Sequence, residues 1–221
     1  MSSRSGRGDT KVYAIIAILV VIVLVLTIFF STNTLREAKI EDEALDDSWI
    51  EDIDERDSGS NFLGLEKWVS YTYKNDDILF PSYISVTSSK NLFMISDSDL
   101  FQQTLNTINQ ASEQGIILDE DSKITGERVN KEEHKTYYVV YNGTDTSFTP
   151  NENIKIIGEC WNCGVSGSSV ICIGYAQITN HSMEGMSNIS YWSKIIRDKE
   201  GTFGLGDFQG LDGLIFNVDC H

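Results

Sequence analysis

From residue 12 to residue 30 the chain carries no charge and, Thr27 apart, only apolar side chains. No other feature restricts its fold as strongly. At about 1.5 Å per residue, a helix of that length nearly spans a hydrocarbon core of about 30 Å. The many Val and Ile residues lower helix propensity in water, but in lipid a single segment satisfies its backbone only as a helix. Cleaved export signals have shorter apolar regions ending in small residues, whereas Phe29 and Phe30 stand here. The expectation is a retained, single-pass transmembrane signal-anchor with the lipid bilayer as its partner through residues 12–30. Arg4, Arg7 and Lys11 precede it against Asp9 alone. That asymmetry puts tail 1–11 in the cytoplasm and the remainder outside the cell membrane.

The chain has 17 Lys and Arg against 33 Asp and Glu, and setting aside the four charges before the apolar run leaves 14 bases, 32 acids and a net charge of −18 beyond it. Such a surface repels nucleic acid and anionic lipid, so no nucleic-acid partner is expected; its simplest role is to keep the domain soluble. The acid is densest between Glu41 and Asp57, where ten of 17 residues are acidic and only Arg56 is basic. Self-repulsion on that scale predicts an extended stalk over 31–60. It has no ligand spacing of the EF-hand kind.

Beyond Ser58, Gly59 and Ser60 the composition becomes globular, predicting one extracytoplasmic domain over 61–221. Short β-branched and aromatic runs predict strands at 68–73, 83–87, 92–95, 124–129, 136–141, 154–160 and 169–179, with turns at Asp76 and Asp77, at Ser88 and Ser89, and over 130–135. A helix is predicted after the capping candidates Ser96, Asp97 and Ser98, with Leu100, Phe101, Leu105, Ile108 and Ala111 on one face and Gly115 closing it. A second is predicted over 189–198, where Tyr191, Trp192, Ile195 and Ile196 share a face, and a last strand over 214–218. The fold class expected is α+β: an N-terminal transmembrane helix plus one domain with an antiparallel sheet and two packed helices.

This element order, in particular the pair of runs 124–141 and the run 170–178 followed by Tyr191, Trp192, Ile195 and Ile196, resembles the PsbP-like α/β/α sandwich of photosystem accessory proteins over residues 66–201. That resemblance rests on element order without a residue motif. It implies a non-enzymatic domain that docks onto a larger assembly; the cysteines and the C-terminal strand depart from the family's pattern.

Cys160, Cys163, Cys172 and Cys220 all lie in the last third of a domain expected outside the cell, where thiols oxidise. Cys160 and Cys172 are each six residues from Ser166, which predicts that they face each other across a hairpin as a disulfide, leaving Cys163 for Cys220. The second bridge closes a loop of more than fifty residues, worth about 3–4 kcal/mol by chain entropy. Three pairings remain open for four cysteines. Cys160-Trp161-Asn162-Cys163 also has redox-dithiol spacing, but it follows a strand and enters a turn, without the helix N-terminus that lowers a thiol pKa. Zinc ligation by the same pair, with His221 as an alternative ligand, lacks a second close pair. No metal or other cofactor is assigned.

Asn142, Asn180 and Asn188 each begin an Asn-x-Ser/Thr triplet near a predicted turn and are N-glycosylation candidates. No catalytic residue is assigned. His134, His181 and His221 stand in no recognisable hydrolase context, and Ser166 does not sit in a complete Gly-x-Ser-x-Gly nucleophile elbow. Glu127, Glu159 and Asp207 offer carboxylates without a sign that two converge, and Gly201, Gly204, Gly206 and Gly210 form a loop with no following lysine. The expected function is a membrane-anchored, non-catalytic binding or assembly module with a protein partner. The alternative is a thiol-redox or metal-dependent enzyme centred on Cys160 and Cys163. A pilin-like subunit is disfavoured because Asp9, Thr10 and Lys11 separate Arg7 and Gly8 from the apolar run.

Overall fold

Alternating burial along long extended runs organises the chain around a seven-stranded antiparallel sheet. The computed structural model describes residues 34–45, 48–61, 66–183, 185–196 and 213–221. The sheet strands are β2 (Trp49–Asn61), β3 (Glu66–Asn75), β4 (Ser82–Lys90), β5 (Ile116–Val129), β6 (Lys135–Asp145), β7 (Glu152–Cys163) and β8 (Ser168–Gln177), in the order β2-β3-β4-β8-β7-β6-β5. Two meanders, β2 to β4 and β5 to β8, therefore meet where β4 pairs with β8. Helix α1 (Asp97–Gln110) makes the crossing between them. Short strands β1 (Lys39–Ile40) and β11 (Val218–Asp219) pair with each other, as do β9 (Thr179–Asn180) and β10 (Met186–Ser187); helix α2 is Ser190–Ile196.

Local chemistry explains α1. The Asp99 N–H donates to Ser96 Oγ at 3.2 Å, capping a free amide of the first turn, and Asp97 and Asp99 complement the positive end of the helix. Its inward face, Leu100, Thr104 and Ile108, lies on the sheet so closely that a Cβ on Gly158 would come within 2.6 Å of Thr104 and 2.7 Å of Ile108. Ile108 packs there with Val139, Tyr141, Ile154, Ile156 and Tyr175.

The opposite face carries the larger core. Tyr71, Tyr73, Ile84, Val86, Ile157, Trp161 and Cys172 pack beneath Trp192, Ile195 and Ile196 of α2 and beneath Leu214, Ile215 and Val218. Segment 213–221 is tied to its surroundings by backbone bonds from Leu214 N–H to Lys194 O, from Lys131 N–H to Phe216 O and from Glu41 N–H to Asn217 O. Glu159 is fully buried on this face; it accepts from Arg128 through both carboxylate oxygens and from Thr136 Oγ1 at 2.6 Å. Buried charge of this kind persists only when so paired.

Three expectations are corrected. The α+β class yields to a fold of mostly antiparallel sheet, in which, among the described residues, two helices cover parts of its faces. Residues 12–30, where that class places a transmembrane helix, lie outside the described residues; among the described residues no helix is long and apolar enough to cross a membrane. The acidic stalk is, from Trp49 onward, an edge strand paired with β3, because buried Trp49 anchors it while its acids face solvent. Charged side chains on an edge also discourage pairing with other chains. Locally, 92–95 forms no strand and exposes Leu92, Phe93 and Met94, and the predicted last strand is a 3-10 turn, Ile215–Asn217, followed by β11.

Candidate metal centre

Three separate parts of the chain deliver nitrogen and sulfur to one point: the β5–β6 turn, the end of β7 and the segment after β11. In the turn, Asn130 C=O accepts from Glu133 N–H at 3.1 Å, Asn130 N–H donates to His134 O at 3.1 Å, and Asn130 Oδ1 accepts from His134 N–H at 2.9 Å. Glu133 sits between them at φ 62°, a left-handed conformation that reverses the chain and brings His134 to the larger core's edge. Cys163 closes β7 on the same face as Trp161. Beyond β11, the Asp219 carboxylate accepts the His221 N–H at 2.8 Å. This Asx-type bend lets the adjacent Cys220 and His221 point the same way, which an extended strand would forbid.

The result is a cluster of His134, Cys163, Cys220 and His221 whose ligand atoms all lie within 4.8 Å of one another. Cys220 Sγ is 3.4 Å from His134 Nε2, and Cys163 Sγ is 3.6 Å from His221 Nδ1. The imidazole centroids are 5.0 Å apart at 61°, so the rings meet edge to face without stacking shut. Bond lengths of about 2.3 Å to sulfur and 2.0–2.1 Å to nitrogen put the sulfur–nitrogen edge of a tetrahedral zinc site near 3.5 Å. Both close contacts match that edge, and the widest separation has to contract by about 1 Å for all four to bind one ion.

The surroundings favour ionised sulfur at Cys163. The Cys220 thiol hydrogen-bonds Cys163 and lowers its pKa well below the ordinary thiol range against the opposing effect of burial; the Ser166 hydroxyl and N–H and His134 act in the same direction. Cys220 is raised in turn, by that hydrogen bond and by burial. The buried Trp161 indole N–H has no oxygen or nitrogen acceptor, and it favours the ionised form of Cys220. An N–H directed at sulfur is the kind of outer contact that supports a metal-bound thiolate.

The predicted disulfides are corrected: all four cysteines are free. In the β7–β8 hairpin Cys163 pairs with Ser168, which sets Cys160 opposite Ile171 and Cys172 opposite Glu159. A slip of one residue from the symmetric register puts Cys160 and Cys172 on opposite faces of the sheet, out of each other's reach. Cys163 and Cys220 do meet, as free thiols sharing a hydrogen bond within the four-donor cluster. Cys160 and Cys163 also face opposite sides of β7, so the Cys-x-x-Cys spacing brings no dithiol together. Burial pushes the Cys160 thiol up to about 11 and raises that of Cys172 well above the ordinary thiol range.

Other singled-out residues scatter. Asn142 is exposed on β6, with Oδ1 accepting from Lys155 at 2.9 Å. Asn180 is buried, and its Nδ2, the atom a glycan would modify, donates to Leu79 O at 2.7 Å. Asn188 Oδ1 accepts the Ser190 N–H at 2.9 Å at the start of α2. Glu127 pairs with exposed Lys135 at 2.8 Å, while its counterpart Glu159 is engaged with Arg128 in the core, so the two carboxylates do not converge. Asp207, Gly201, Gly204, Gly206 and Gly210 lie outside the described residues. Sequence reasoning named Cys163, Cys220 and His221 but missed His134 as a ligand. The turn over 130–135 is its local signal, and only the β5–β6 pairing brings it to the site.

No known family matches the chain, and neither does any curated protein or solved structure. The PsbP-like resemblance gains no support from these comparisons.

Proposed function

We propose that this is a non-catalytic binding or assembly module whose C-terminal segment is clamped to the sheet by one zinc-class ion held by His134, Cys163, Cys220 and His221. The observation that carries the reading is the convergence of two sulfurs and two imidazole nitrogens from three distant parts of the chain. Two thiolates and two neutral imidazoles balance a divalent charge. The same mixture suits zinc and disfavours magnesium and calcium, which take oxygen ligands. With all four tetrahedral positions supplied by protein, no position is left for water or substrate, which favours a structural role over catalysis. The partner that such a module binds is a protein surface compatible with its acidic exterior.

Metal analysis of the full chain purified under reducing conditions tests this, together with cobalt substitution. The expected result is one zinc per chain and the intense visible bands of a tetrahedral cobalt–thiolate site. Substoichiometric metal, combined with no shift in the unfolding midpoint on zinc titration, would overturn the reading.

A further inference from the structure

The two nitrogens of His221 face different groups. Nδ1 is directed into the cluster, 3.6 Å from Cys163 Sγ, while Nε2 lies 3.2 Å from Glu132 Oε2. We infer that Glu132 is the positioning residue of the metal site: by accepting from His221 Nε2 it fixes the ring's orientation and leaves the Nδ1 lone pair for the ion. The inference rests on the proposed metal reading and extends it to a residue that binds no metal itself.

Three features distinguish this contact from a chance surface pair. Glu132 and His134 belong to the same tight turn, so one short piece of chain supplies one ligand directly and orients another that comes from far away in sequence. The turn is immobilised at both ends: Asn130 closes it with its backbone and side chain, and Lys131 N–H bonds Phe216 O in the segment that carries Cys220 and His221. The carboxylate and imidazole are also partly shielded, with side-chain exposures of 25% and 30%. A carboxylate behind a metal-bound histidine fixes its tautomer and raises its basicity, and losing one typically weakens metal binding about 10–100-fold. A solvent-exposed ion pair would contribute almost nothing to metal affinity.

The expectation is that Glu132→Ala raises the zinc dissociation constant about 10–100-fold, measured by competition against a chromophoric chelator, and perturbs the cobalt spectrum. Glu132→Gln, whose side-chain carbonyl still accepts a hydrogen bond, should recover part of that loss. The urea midpoint of the metal-free protein should stay at the wild-type value in both variants, which separates positioning from a purely structural role. If the wild-type chain binds zinc and Glu132→Ala binds it equally well, the assignment of Glu132 fails and the metal site stands. If the wild-type chain binds neither zinc nor cobalt, the metal reading itself fails. A lowered metal-free midpoint with unchanged zinc affinity would also overturn the assignment, making Glu132 a structural residue only.

Discussion

Strand β7 carries Cys160 on the face covered by α1 and Cys163 on the face covered by segment 213–221, and the two sulfurs live in different chemistries. Cys160 is fully enclosed, and burial raises its thiol to about 11. It behaves as a small apolar side chain under a helix. Cys163 is equally buried, but it faces a second thiol and an imidazole, and the hydroxyl and N–H of Ser166 favour its ionised form. Burial alone therefore does not decide whether a cysteine is inert; the groups that share its enclosure do. Three residues along a strand reverse the face, and here they reverse the role.

The sharpest way to break this comparison is to remove each sulfur in turn. Cys163→Ser should abolish stoichiometric zinc and lower stability by about 4 kcal/mol, the stabilisation that an ion supplies when its free concentration is 1,000 times its dissociation constant. Cys160→Ala should cost about 1–2 kcal/mol as a small cavity and leave zinc content unchanged. Urea unfolding with and without chelator, paired with metal analysis, reads both quantities. Loss of zinc from Cys160→Ala would mean that the two faces of β7 are not independent.

The covers of both faces press closely on the sheet, and two glycines report it. A Cβ at Gly158 would meet Thr104 at 2.6 Å and Ile108 at 2.7 Å, forcing α1 outward. A Cβ at Gly174 would meet Ile195 at 2.7 Å and Ile157 at 2.9 Å beneath α2. Gly158→Ala and Gly174→Ala should each destabilise by about 1–3 kcal/mol. Only Gly174→Ala, which disturbs the cover continuous with segment 213–221, should also weaken zinc binding. Equal effects of the two on zinc affinity would show that the metal reports global stability and not its own face.

Strands β3, β4, β6, β7 and β8 were legible in the sequence because Val, Ile, Tyr and Trp recur in short runs bounded by turn residues. Helix α1 was legible because Ser96 and the spacing of Leu100 and Ile108 state it locally. Strand β2 was not, since its charges read as a repelling coil; only pairing with β3 and the burial of Trp49 make it a strand. The cysteine pairing failed on register: symmetry about Ser166 and the observed pairing of Cys163 with Ser168 differ by one residue, and composition cannot resolve a one-residue slip. His134 was invisible as a ligand for a different reason. It stands 29 positions before Cys163 and 86 before Cys220 in the sequence, so only the assembled sheet makes it their neighbour.

The smallest expected effects sharpen the comparison at the two turns that flank the site. Gly167, in the turn after Cys163, sits at φ 66°, and Glu133, just before His134, sits at φ 62°. Both backbones are left-handed, yet only one position uses the residue that tolerates this at no steric cost. Around Gly167 an added Cβ would meet only Lys90 Nζ, at 3.9 Å, so Gly167→Ala should cost about 1 kcal/mol through backbone strain alone. Glu133→Gly should do the reverse: relief of about 1–2 kcal/mol of left-handed strain is partly offset by glycine's larger entropy in the unfolded chain, leaving about 0.5 kcal/mol of added stability. Paired urea midpoints check the opposite signs. If Glu133→Gly instead destabilises while zinc affinity falls, the Glu133 side chain itself supports the site, and the strain at this turn is maintained for binding rather than merely tolerated.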